Sequence, residues 1–325
     1  MIIVTGGTGF IGSATVWGLN KRGRSDVVIV DNVSHEEKEH NIASLQYEER
    51  LEIPDFREKL AAGDFDNKNV EAIIHLGANS STTERDWDHL LDNNVHYTQE
   101  IIRWCADKGV RCVYASSGAT YGDGALGFSD DPELFDQLKP LNLYGKSKLD
   151  VDIWARDGGY HEKVVGLRYL NVFGPNEYHK GDMASVIYKK FQEIKEGKPF
   201  TLFKSYHSDY ADGESTRDFV YVKDVIDATL HFIENKEPAG VFNVGTGKAR
   251  TWNDVAKSTY VALGEEPNIE YVEMPEALRD QYQYHTQADI TRLKKAGFTQ
   301  KFTSLEEAIG DYVKNYLVPH RHLGD

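Results

Sequence analysis

The chain has 325 residues, 40% of them hydrophobic and 27% charged, which is typical of a folded protein with a sizeable core. Acidic residues outnumber basic ones by 52 to 37, and the net charge of -15 argues against nucleic acid or an anionic membrane as the main partner. Two cysteines, and no apolar stretch long enough for a signal peptide or a membrane span, favour a cytoplasmic protein without disulfides or a bound metal.

Short β-branched runs alternate with helical patterns through the first half of the chain, which is typical of consecutive βαβ units in a parallel sheet. After Gly174-Pro175 the pattern changes to helices, polar loops and isolated strands. The polar, aperiodic segment 205–216 is predicted to be a surface loop. The predicted strands are Ile2–Val4, Val27–Val30, Ala72–Leu76, Cys112–Ala115, Val164–Tyr169 and Val241–Val244, and the predicted helices are Ile11–Lys21, Asn93–Lys108 and Tyr144–Arg156.

This order of elements predicts an α/β fold. We expect a doubly wound, Rossmann-type parallel sheet with a smaller, interleaved C-terminal α/β domain that binds the substrate. Residues 1–172 and 218–247 are predicted to form the dinucleotide-binding domain. Residues 173–217 and 248–325 are predicted to form the substrate-binding domain.

Glycines at positions 6, 9 and 12 lie between the first predicted strand and the first predicted helix. They allow a tight turn and a close backbone approach, so that a pyrophosphate can bind the amides of the helix N-terminus. Asp31 ends the second predicted strand, where its carboxylate would accept hydrogen bonds from the adenosine ribose, as in NAD-binding proteins. Asn32 and Lys38 follow closely, and a lysine there can neutralise the 2′-phosphate of NADP instead. The pattern predicts a dinucleotide cofactor and leaves NAD and NADP open.

Tyr144 and Lys148 are four residues apart at a predicted helix start, so they share one helix face. An unperturbed phenol, with a pKa of about 10, is a poor base, but an ammonium and an oxidised nicotinamide both favour its phenolate. Ser117 follows the predicted strand that starts at Cys112, at the sheet edge where such folds bind ligands. Taken alone, the pair would be a surface feature and the serine a strand-end cap. The glycine motif upstream favours a catalytic role in moving a hydride at a sugar carbinol.

Together these residues resemble the extended short-chain dehydrogenase/reductase superfamily, and within it the ADP-heptose 6-epimerase family of nucleotide-sugar epimerases. The likeness covers nearly the whole chain. The superfamily resemblance rests on Gly6-Gly-Thr-Gly-Phe-Ile-Gly12, Asp31-Asn32, His75-Leu-Gly-Ala78 and Tyr144-x-x-x-Lys148. The epimerase resemblance rests on Ser80-Ser-Thr-Thr-Glu84, Asp92-Asn-Asn94, Tyr114-Ala-Ser-Ser117, Leu167-Arg-Tyr-Leu-Asn-Val172, His179-Lys-Gly-Asp-Met-Ala-Ser185 and Arg217-Asp-Phe-Val-Tyr-Val222.

The resemblance implies C6 epimerisation of an ADP-heptose with bound NADP, a step toward the lipopolysaccharide core, by a homo-oligomer that is commonly a pentamer in the family. It implies that Tyr144 and Lys180 handle protons, with Ser117 and Lys148 in support. Together with Gly6, Gly9 and Gly12, the expected NADP contacts are Phe10, Ile11, Asp31, Asn32, Lys38, Leu76, Gly77, Ala78, Asn79, Ser80, Asn93, Lys148, Val172 and Lys180. The expected substrate contacts are Asn171, Asp182, Lys189, Phe203, Lys204, Ser205, Arg217 and Tyr282.

The sequence departs from the family pattern at two of these substrate positions and at one further place. Family members usually carry a serine where Asp182 stands, a histidine where Lys189 stands, and a lysine near Ile53. The polar segment before Arg217 is also longer here.

Inversion of a carbinol needs a transient ketone, because its C–H bond is not acidic. Hydride arrives from one side of a fixed nicotinamide, so the ketone must rotate and its oxygen ends in a new position. Tyr144 would serve one orientation and Lys180 the other; the alternative is that Lys180 only binds the diphosphate. Arg217 is the best candidate for binding the substrate diphosphate, and the alternative is a structural salt bridge between Arg217 and Asp218.

Three competing functions were compared with epimerisation at C6. A nucleotide-sugar 4,6-dehydratase uses an acidic pair just after the active-site serine, but here that stretch is Gly118-Ala-Thr120. A UDP-hexose 4-epimerase has the same fold and uses the same transient oxidation, so it stays open. An NADP-sensing binding protein would not need Tyr144, Lys148 and Ser117 together.

Overall fold

The computed structural model describes residues 1–32, 36–279 and 282–325. Its strands are β1 (Ile2–Thr5), β2 (Val27–Val30), β3 (Glu49–Leu51), β4 (Ala72–His75), β5 (Arg111–Ser117), β6 (Val165–Tyr169), β7 (Asn171–Phe173), β8 (Phe200–Phe203), β9 (Thr216–Arg217), β10 (Phe219–Tyr221), β11 (Gly240–Val244), β12 (Arg250–Thr251) and β13 (Ile269–Val272). Its α-helices are α1 (Phe10–Lys21), α2 (Glu36–His40), α3 (Ile53–Ala62), α4 (Trp87–Leu90), α5 (Tyr97–Lys108), α6 (Leu143–Asp157), α7 (Val186–Lys195), α8 (Val222–Glu234), α9 (Trp252–Leu263), α10 (Glu276–Arg279), α11 (Thr291–Lys295) and α12 (Leu305–Tyr312). Short 3-10 turns cover Gly118–Tyr121, Pro132–Gln137, Tyr160–Glu162 and Tyr178–Met183, and π-helical stretches cover Leu91–His96 and Val313–Leu317.

Seven parallel strands form the central sheet in the order β11-β6-β5-β4-β1-β2-β3. Every residue of β1, β2 and β4 is buried, as expected for strands that are covered on both faces. Alternate residues of β1 point to opposite faces, so that Ile2 joins an apolar cluster with Ile226 of α8, whereas Ile3 joins another with Ile101 of α5. The predicted doubly wound α/β fold is confirmed.

The strand order reverses between β1 and β4, which creates a crevice at the carboxyl ends of these strands. Three smaller two-stranded pairings lie outside the central sheet: β7 with β10, β8 with β13, and β9 with β12. Residues 205–215 contain no helix or strand, as predicted for the polar segment, whereas Thr216, the last residue of the predicted loop, begins β9. Within the described ranges, no helix has both the length and the apolar character needed to cross a membrane.

The structure differs from the predicted elements at the edge of the sheet and before α5. Where a single helix is predicted from Asn93, the structure has α4, then a π-helical stretch that includes Asn93, and then α5 from Tyr97. Asp86 caps the earlier start by accepting a hydrogen bond from the amide of His89 at 3.0 Å. Strand β3 was not predicted because Glu49 and Arg50 are exposed at the sheet edge, where no apolar run is required.

Candidate active site

A cavity of about 1190 Å³ opens at the carboxyl end of the sheet, at the crevice between β1 and β4. Its walls come from the glycine loop after β1, the ends of β4 and β5, the start of α6, and the segment that follows β7. The structure brings most of the predicted site residues together here. Those that line the cavity are Gly6, Gly9, Phe10, Ile11, Gly12, Asp31, Asn32, Lys38, Leu76, Gly77, Ala78, Asn79, Ser80, Asn93, Ser117, Tyr144, Lys148, Asn171, Val172, Lys180, Arg217 and Tyr282.

The glycine loop fits a dinucleotide pyrophosphate. Gly6 has a positive φ of 67°, and a Cβ there would lie 2.6 Å from the amide nitrogen of Gly77. A Cβ at Gly12 would lie 1.9 Å from the carbonyl oxygen of Gly6. Helix α1 begins directly after its N-cap residue Gly9, and no side chain among the described residues caps its first turn. Its N-terminal amides are therefore available to an anionic group in the cavity.

Asp31 and Lys38 lie side by side at the end of β2. One carboxylate oxygen of Asp31 accepts hydrogen bonds from the amide and the hydroxyl of Thr8, at 3.1 and 2.5 Å. The other lies 3.3 Å from the ammonium of Lys38, which also lies 3.5 Å from the carbonyl oxygen of Asn32. The acidic residue expected to bind a ribose is thus accompanied by a cation that can bind a phosphate.

The start of α6 places Tyr144 against the end of β5. Asn142 caps the helix by accepting a hydrogen bond from the amide of Gly145 at 2.8 Å. A Cβ at Gly145 would lie 2.6 Å from the carbonyl oxygen of Ala119, so the glycine allows the helix to approach the turn after β5. Burial raises the pKa of Tyr144, and its hydrogen bond with Ser117 opposes that rise.

Lys148 lies one helical turn after Tyr144 and is only 3% exposed. Burial lowers its pKa to about 8, and the carboxylate of Asp152, one turn further on, opposes that shift. Arg168 neutralises Asp152, since its Nε and one terminal nitrogen each lie 2.9 Å from the carboxylate. The side-chain ammonium of Lys148 has no hydrogen-bond or ion-pair partner within the part of the chain that the structure describes. Its ammonium is therefore free to bind a group in the cavity.

Lys180 lies on the segment that follows β7, in the 3-10 turn Tyr178–Met183. Burial lowers its pKa, Glu177 raises it, and the nearby ammonium of Lys38 lowers it further. The buried carboxylate of Glu177 joins the ends of this segment, because it accepts hydrogen bonds from the amide of Gly174 at 3.2 Å and the hydroxyl of Ser185 at 2.7 Å. A lysine whose ammonium is destabilised in this way is suited to proton transfer.

Arg217 is 8% exposed and lies between two aromatic rings, with its guanidinium carbon 5.7 Å from the ring centre of Trp252 and 5.2 Å from that of Tyr282. Burial lowers its pKa. No carboxylate among the described residues forms an ion pair with it. Asp218 instead accepts hydrogen bonds from the amides of Thr246 and Ala288, at 2.7 and 3.0 Å. The alternative of a structural Arg217–Asp218 salt bridge is therefore wrong, and the buried guanidinium suits an anionic ligand.

Comparison with known proteins identifies the family. The model of the NAD dependent epimerase/dehydratase family matches residues 2–245. The chain belongs to this family. It is 48% identical over 317 residues to an ADP-L-glycero-D-manno-heptose-6-epimerase of Nitratidesulfovibrio vulgaris (98% of each chain) and 45% identical over 326 residues to one of Fusobacterium nucleatum (98% of each chain). The predicted resemblance to epimerases is confirmed.

Solved structures of the family share the fold along almost the whole chain. The ADP-L-glycero-D-manno-heptose-6-epimerase of Helicobacter pylori matches with a TM-score of 0.79 and 26% identity, over 97% of this chain and 95% of that one. The UDP-glucose 4-epimerase of Thermus thermophilus, in complex with NAD, matches with a TM-score of 0.74 and 26% identity, over 96% and 97%. A nicotinamide dinucleotide is thus the cofactor class of the family to which this chain belongs.

The structure does not bring five of the predicted substrate residues to the cavity wall. Lys189 donates a hydrogen bond to the backbone carbonyl of Asp182 at 3.0 Å. Lys204 forms an exposed ion pair with Glu273 at 2.7 Å. Phe203 is 37% exposed, and its ring centre lies 6.4 Å from that of Tyr282, which lines the cavity. A role in substrate binding stays a prediction for Asp182, Lys189, Phe203, Lys204 and Ser205.

Sequence reasoning missed several cavity residues, among them Trp252, which flanks Arg217. Trp252 is the first residue of α9, and Thr251 and Asp254 form a capping box around it. The capping pattern is visible in the sequence and would have marked a helix start there. Nothing in the sequence shows that this helix start faces Arg217.

Proposed function

We propose that this protein converts ADP-D-glycero-D-manno-heptose to ADP-L-glycero-D-manno-heptose by inversion at C6, with NADP bound throughout, and so supplies the heptose precursor of the lipopolysaccharide core. The observation that carries the proposal is the convergence of Tyr144, Lys180 and Arg217 on one cavity beside a glycine loop, with no carboxylate among the described residues paired to the Arg217 guanidinium. The high identity to relatives that bear this epimerase name supports the choice of sugar.

The residues present fit a transient oxidation. When bound, a nicotinamide dinucleotide supplies a hydride acceptor and donor, so that the C6 carbinol can become a ketone and be reduced again. The phenolate of Tyr144 takes the hydroxyl proton as the hydride leaves, and Ser117 donates a hydrogen bond to the reacting oxygen. Lys148 binds the cofactor beside them, and its ammonium favours the phenolate while it remains charged.

Lys180 completes the inversion. After the ketone turns its other face toward the hydride donor, its oxygen lies in a new position, out of reach of Tyr144. The ammonium of Lys180 protonates that oxygen as hydride returns to C6. The cycle leaves Tyr144 protonated and Lys180 neutral, and proton exchange with solvent restores both. In the reverse direction the two residues exchange roles.

Arg217 holds the substrate diphosphate, because a buried guanidinium can bind two oxygens at once.

We place the substrate on residues 173–217 and 248–325 and the cofactor on residues 1–172 and 218–247. A homo-oligomer, proposed on the family resemblance, would appear in light scattering as a particle of several chains, and a monomer would contradict it.

The preference for NADP rests on Lys38. Its ammonium lies beside Asp31 at the ribose end of the cleft, where it can bind a 2′-phosphate. Mass spectrometry of the nucleotide released from the purified protein should find NADP. Release of NAD alone would contradict this preference and leave the epimerase proposal standing.

Replacing Lys180 tests the proposed reaction. Proton NMR of the wild-type protein with ADP-D-glycero-D-manno-heptose should show inversion at C6, whereas activity on UDP-galactose alone would support a UDP-hexose 4-epimerase. Lys180→Ala should abolish epimerisation while NADP remains bound, and Lys195→Ala, an exposed lysine on α7, serves as the matched control. Near-normal turnover by Lys180→Ala would contradict the two-base mechanism and favour simple diphosphate binding by this lysine.

A further inference from the structure

The C-terminal tail, residues 318–325, packs against the segment that carries Lys180. The amide of Leu323 donates a hydrogen bond to the side-chain oxygen of Asn176 at 2.9 Å. The hydroxyl of Tyr178 donates to the carbonyl oxygen of Arg321 at 2.8 Å, and the ring of His322 lies edge-on to Tyr178, with 4.9 Å between ring centres. The last residues of the chain thus contact positions two and four residues before the proposed base.

Asn176 joins this tail to the cofactor-binding half of the molecule. It is fully buried and adopts a left-handed backbone conformation, with φ of 77°. Its side-chain oxygen accepts the hydrogen bond from Leu323, and its side-chain nitrogen donates a hydrogen bond to the hydroxyl of Ser13 in α1 at 2.9 Å. Both ends of one buried side chain are therefore used to connect two elements that are distant in the sequence.

Asn41, just after α2, extends the connection to the glycine loop. Its buried side-chain nitrogen donates to the backbone carbonyl of Asn176 at 3.2 Å and to that of Thr8 at 3.0 Å. It also lies 3.2 Å from Nδ1 of His179, the residue before Lys180. The tail, the Lys180 segment and the glycine loop are thus connected by contacts of two buried asparagines.

The segment that carries Lys180 depends on such contacts for its position. Between β7 and α7 it contains only a 3-10 turn, which is interrupted at Gly181, where φ is 52°. Such a segment has few backbone hydrogen bonds of its own to fix its path. The far end of the tail is also held, because Asp325 accepts hydrogen bonds from the hydroxyl of Ser44 at 2.7 Å and the amide of His322 at 2.8 Å.

We propose that Asn176 and the C-terminal tail are positioning elements for Lys180. They hold residues 176–180 against α1 and the glycine loop, so that the Lys180 ammonium stays where the rotated ketone oxygen arrives. This inference rests on the two-base reaction proposed above. According to this inference, the tail supports the proton transfer by Lys180, and the proton transfer by Tyr144 does not depend on the tail.

The test measures the oxidation of each C6 epimer separately. In single turnovers, the absorbance of the reduced nicotinamide reports the oxidation of whichever epimer is mixed with the loaded enzyme. Tyr144→Phe should slow the oxidation of one epimer, and Lys180→Ala that of the other. Asn176→Gly, which keeps the left-handed backbone accessible and removes the side-chain hydrogen bonds with Ser13, Asn41 and Leu323, should slow only the epimer that Lys180→Ala slows, by roughly ten- to a hundredfold.

A second pair of variants removes the same contact from the tail. Leu323→Pro lacks the amide that donates to Asn176, whereas Leu323→Ala retains it, so the proline variant should show the stronger asymmetry between epimers. Hydrogen exchange of residues 177–185 should be faster in Asn176→Gly than in wild type and unchanged in Asn315→Ala, a control in which an exposed C-terminal asparagine is replaced.

The outcomes separate this inference from the proposed function. If Tyr144→Phe and Lys180→Ala fail to slow opposite epimers, the two-base reaction is wrong. If they do slow opposite epimers while Asn176→Gly and Leu323→Pro slow both epimers equally or neither, the positioning role is wrong and the two-base reaction stands. Unchanged hydrogen exchange in residues 177–185 would also overturn the positioning role.

Discussion

Burial favours the neutral forms of Tyr144, Lys148 and Lys180. It raises the pKa of the Tyr144 phenol and lowers the pKa of both lysines, with Lys148 reaching about 8. A neutral phenol is a poor base, so the proposed role of Tyr144 requires groups that favour its phenolate, and the hydrogen bond with Ser117 is one of them. The Lys148 ammonium contributes only while it remains protonated.

The rate should therefore fall as the pH rises through the pKa of Lys148. Because burial places that pKa at about 8, the ammonium is present below this pH and is lost above it. We expect kcat/KM for epimerisation to decrease with a midpoint near about 8. Lys148→Arg keeps its charge, so whatever activity it retains should lack this decrease. The same midpoint in Lys148→Arg would show that another group titrates.

Arg217 should determine the affinity for the diphosphate of the substrate. A lysine at this position keeps the charge but loses the planar group that lies between Trp252 and Tyr282. Calorimetry with ADP should show a loss of about tenfold or more in Arg217→Lys, with folding unchanged. Arg250→Lys is the matched control. Arg250 lies opposite Arg217 in the antiparallel pairing of β9 with β12, but its guanidinium forms ion pairs with Asp254 and Glu306. Equal affinities for ADP in wild type, Arg217→Lys and Arg250→Lys would show that Arg217 does not bind the diphosphate.

The site residues that could be argued from the sequence without the family resemblance are each marked by a local pattern. The glycine motif, Tyr144 with Lys148, and Ser117 each depend on neighbours within a turn or a strand end. Asp218 accepts hydrogen bonds from Thr246 and Ala288, which lie 28 and 70 residues away in the sequence. That Asp218 binds these amides and not the neighbouring Arg217 therefore depends on the tertiary fold. The position of Trp252 beside Arg217 also depends on the tertiary fold, so the sequence does not show it.

At the scale of elements, apolar periodicity predicted the buried strands and failed at the exposed edge. Strands β1, β2 and β4 carry continuous apolar runs because both of their faces are covered. Strand β3 is only partly buried, and helix α3 after it is mostly exposed, so neither shows such a run. The segment that carries Lys180 shows no such run, and its contacts are with Glu177, Asn41 and the C-terminal tail.

A buried carboxyl at the opposite edge of the sheet should make stability depend on pH. Asp130 accepts a hydrogen bond from the amide of Asn243 in β11 at 2.8 Å and lies 3.5 Å from Arg292 of α11. Burial raises its pKa from 3.8 to about 6. Since the folded-state value exceeds the unfolded one, its stabilising contribution is present below about pH 4 and is lost as the pH rises through about 6.

Asp130→Asn should therefore gain stability relative to wild type as the pH rises. Urea unfolding at about pH 4 and about pH 7 should show a change of about 1–3 kcal/mol in the difference between the two proteins. Asp123→Asn, in the neighbouring turn, serves as the control and should show a smaller change. A difference between Asp130→Asn and wild type that is the same at both pH values would contradict this origin.

For the whole molecule, the order of the parallel strands explains why one cavity receives so many separate motifs. The reversal between β1 and β4 brings the glycine loop, the end of β5 and the start of α6 to a common edge, and this edge was predictable from the βαβ pattern. The return of the C-terminal tail to Asn176 was not predictable, because the contact joins positions 147 residues apart and no local pattern marks either partner.

The most direct test of the central claim is to run the reaction in deuterium oxide. In the proposed mechanism, hydride leaves C6 and returns to the same carbon, so the hydrogen at C6 never exchanges with solvent, whereas the hydroxyl protons assigned to Tyr144 and Lys180 do. Proton NMR and mass spectrometry of ADP-L-glycero-D-manno-heptose formed from the D-glycero epimer should show the original hydrogen retained at C6. Deuterium at C6 of the product, or no inversion of this substrate at all, would contradict the account.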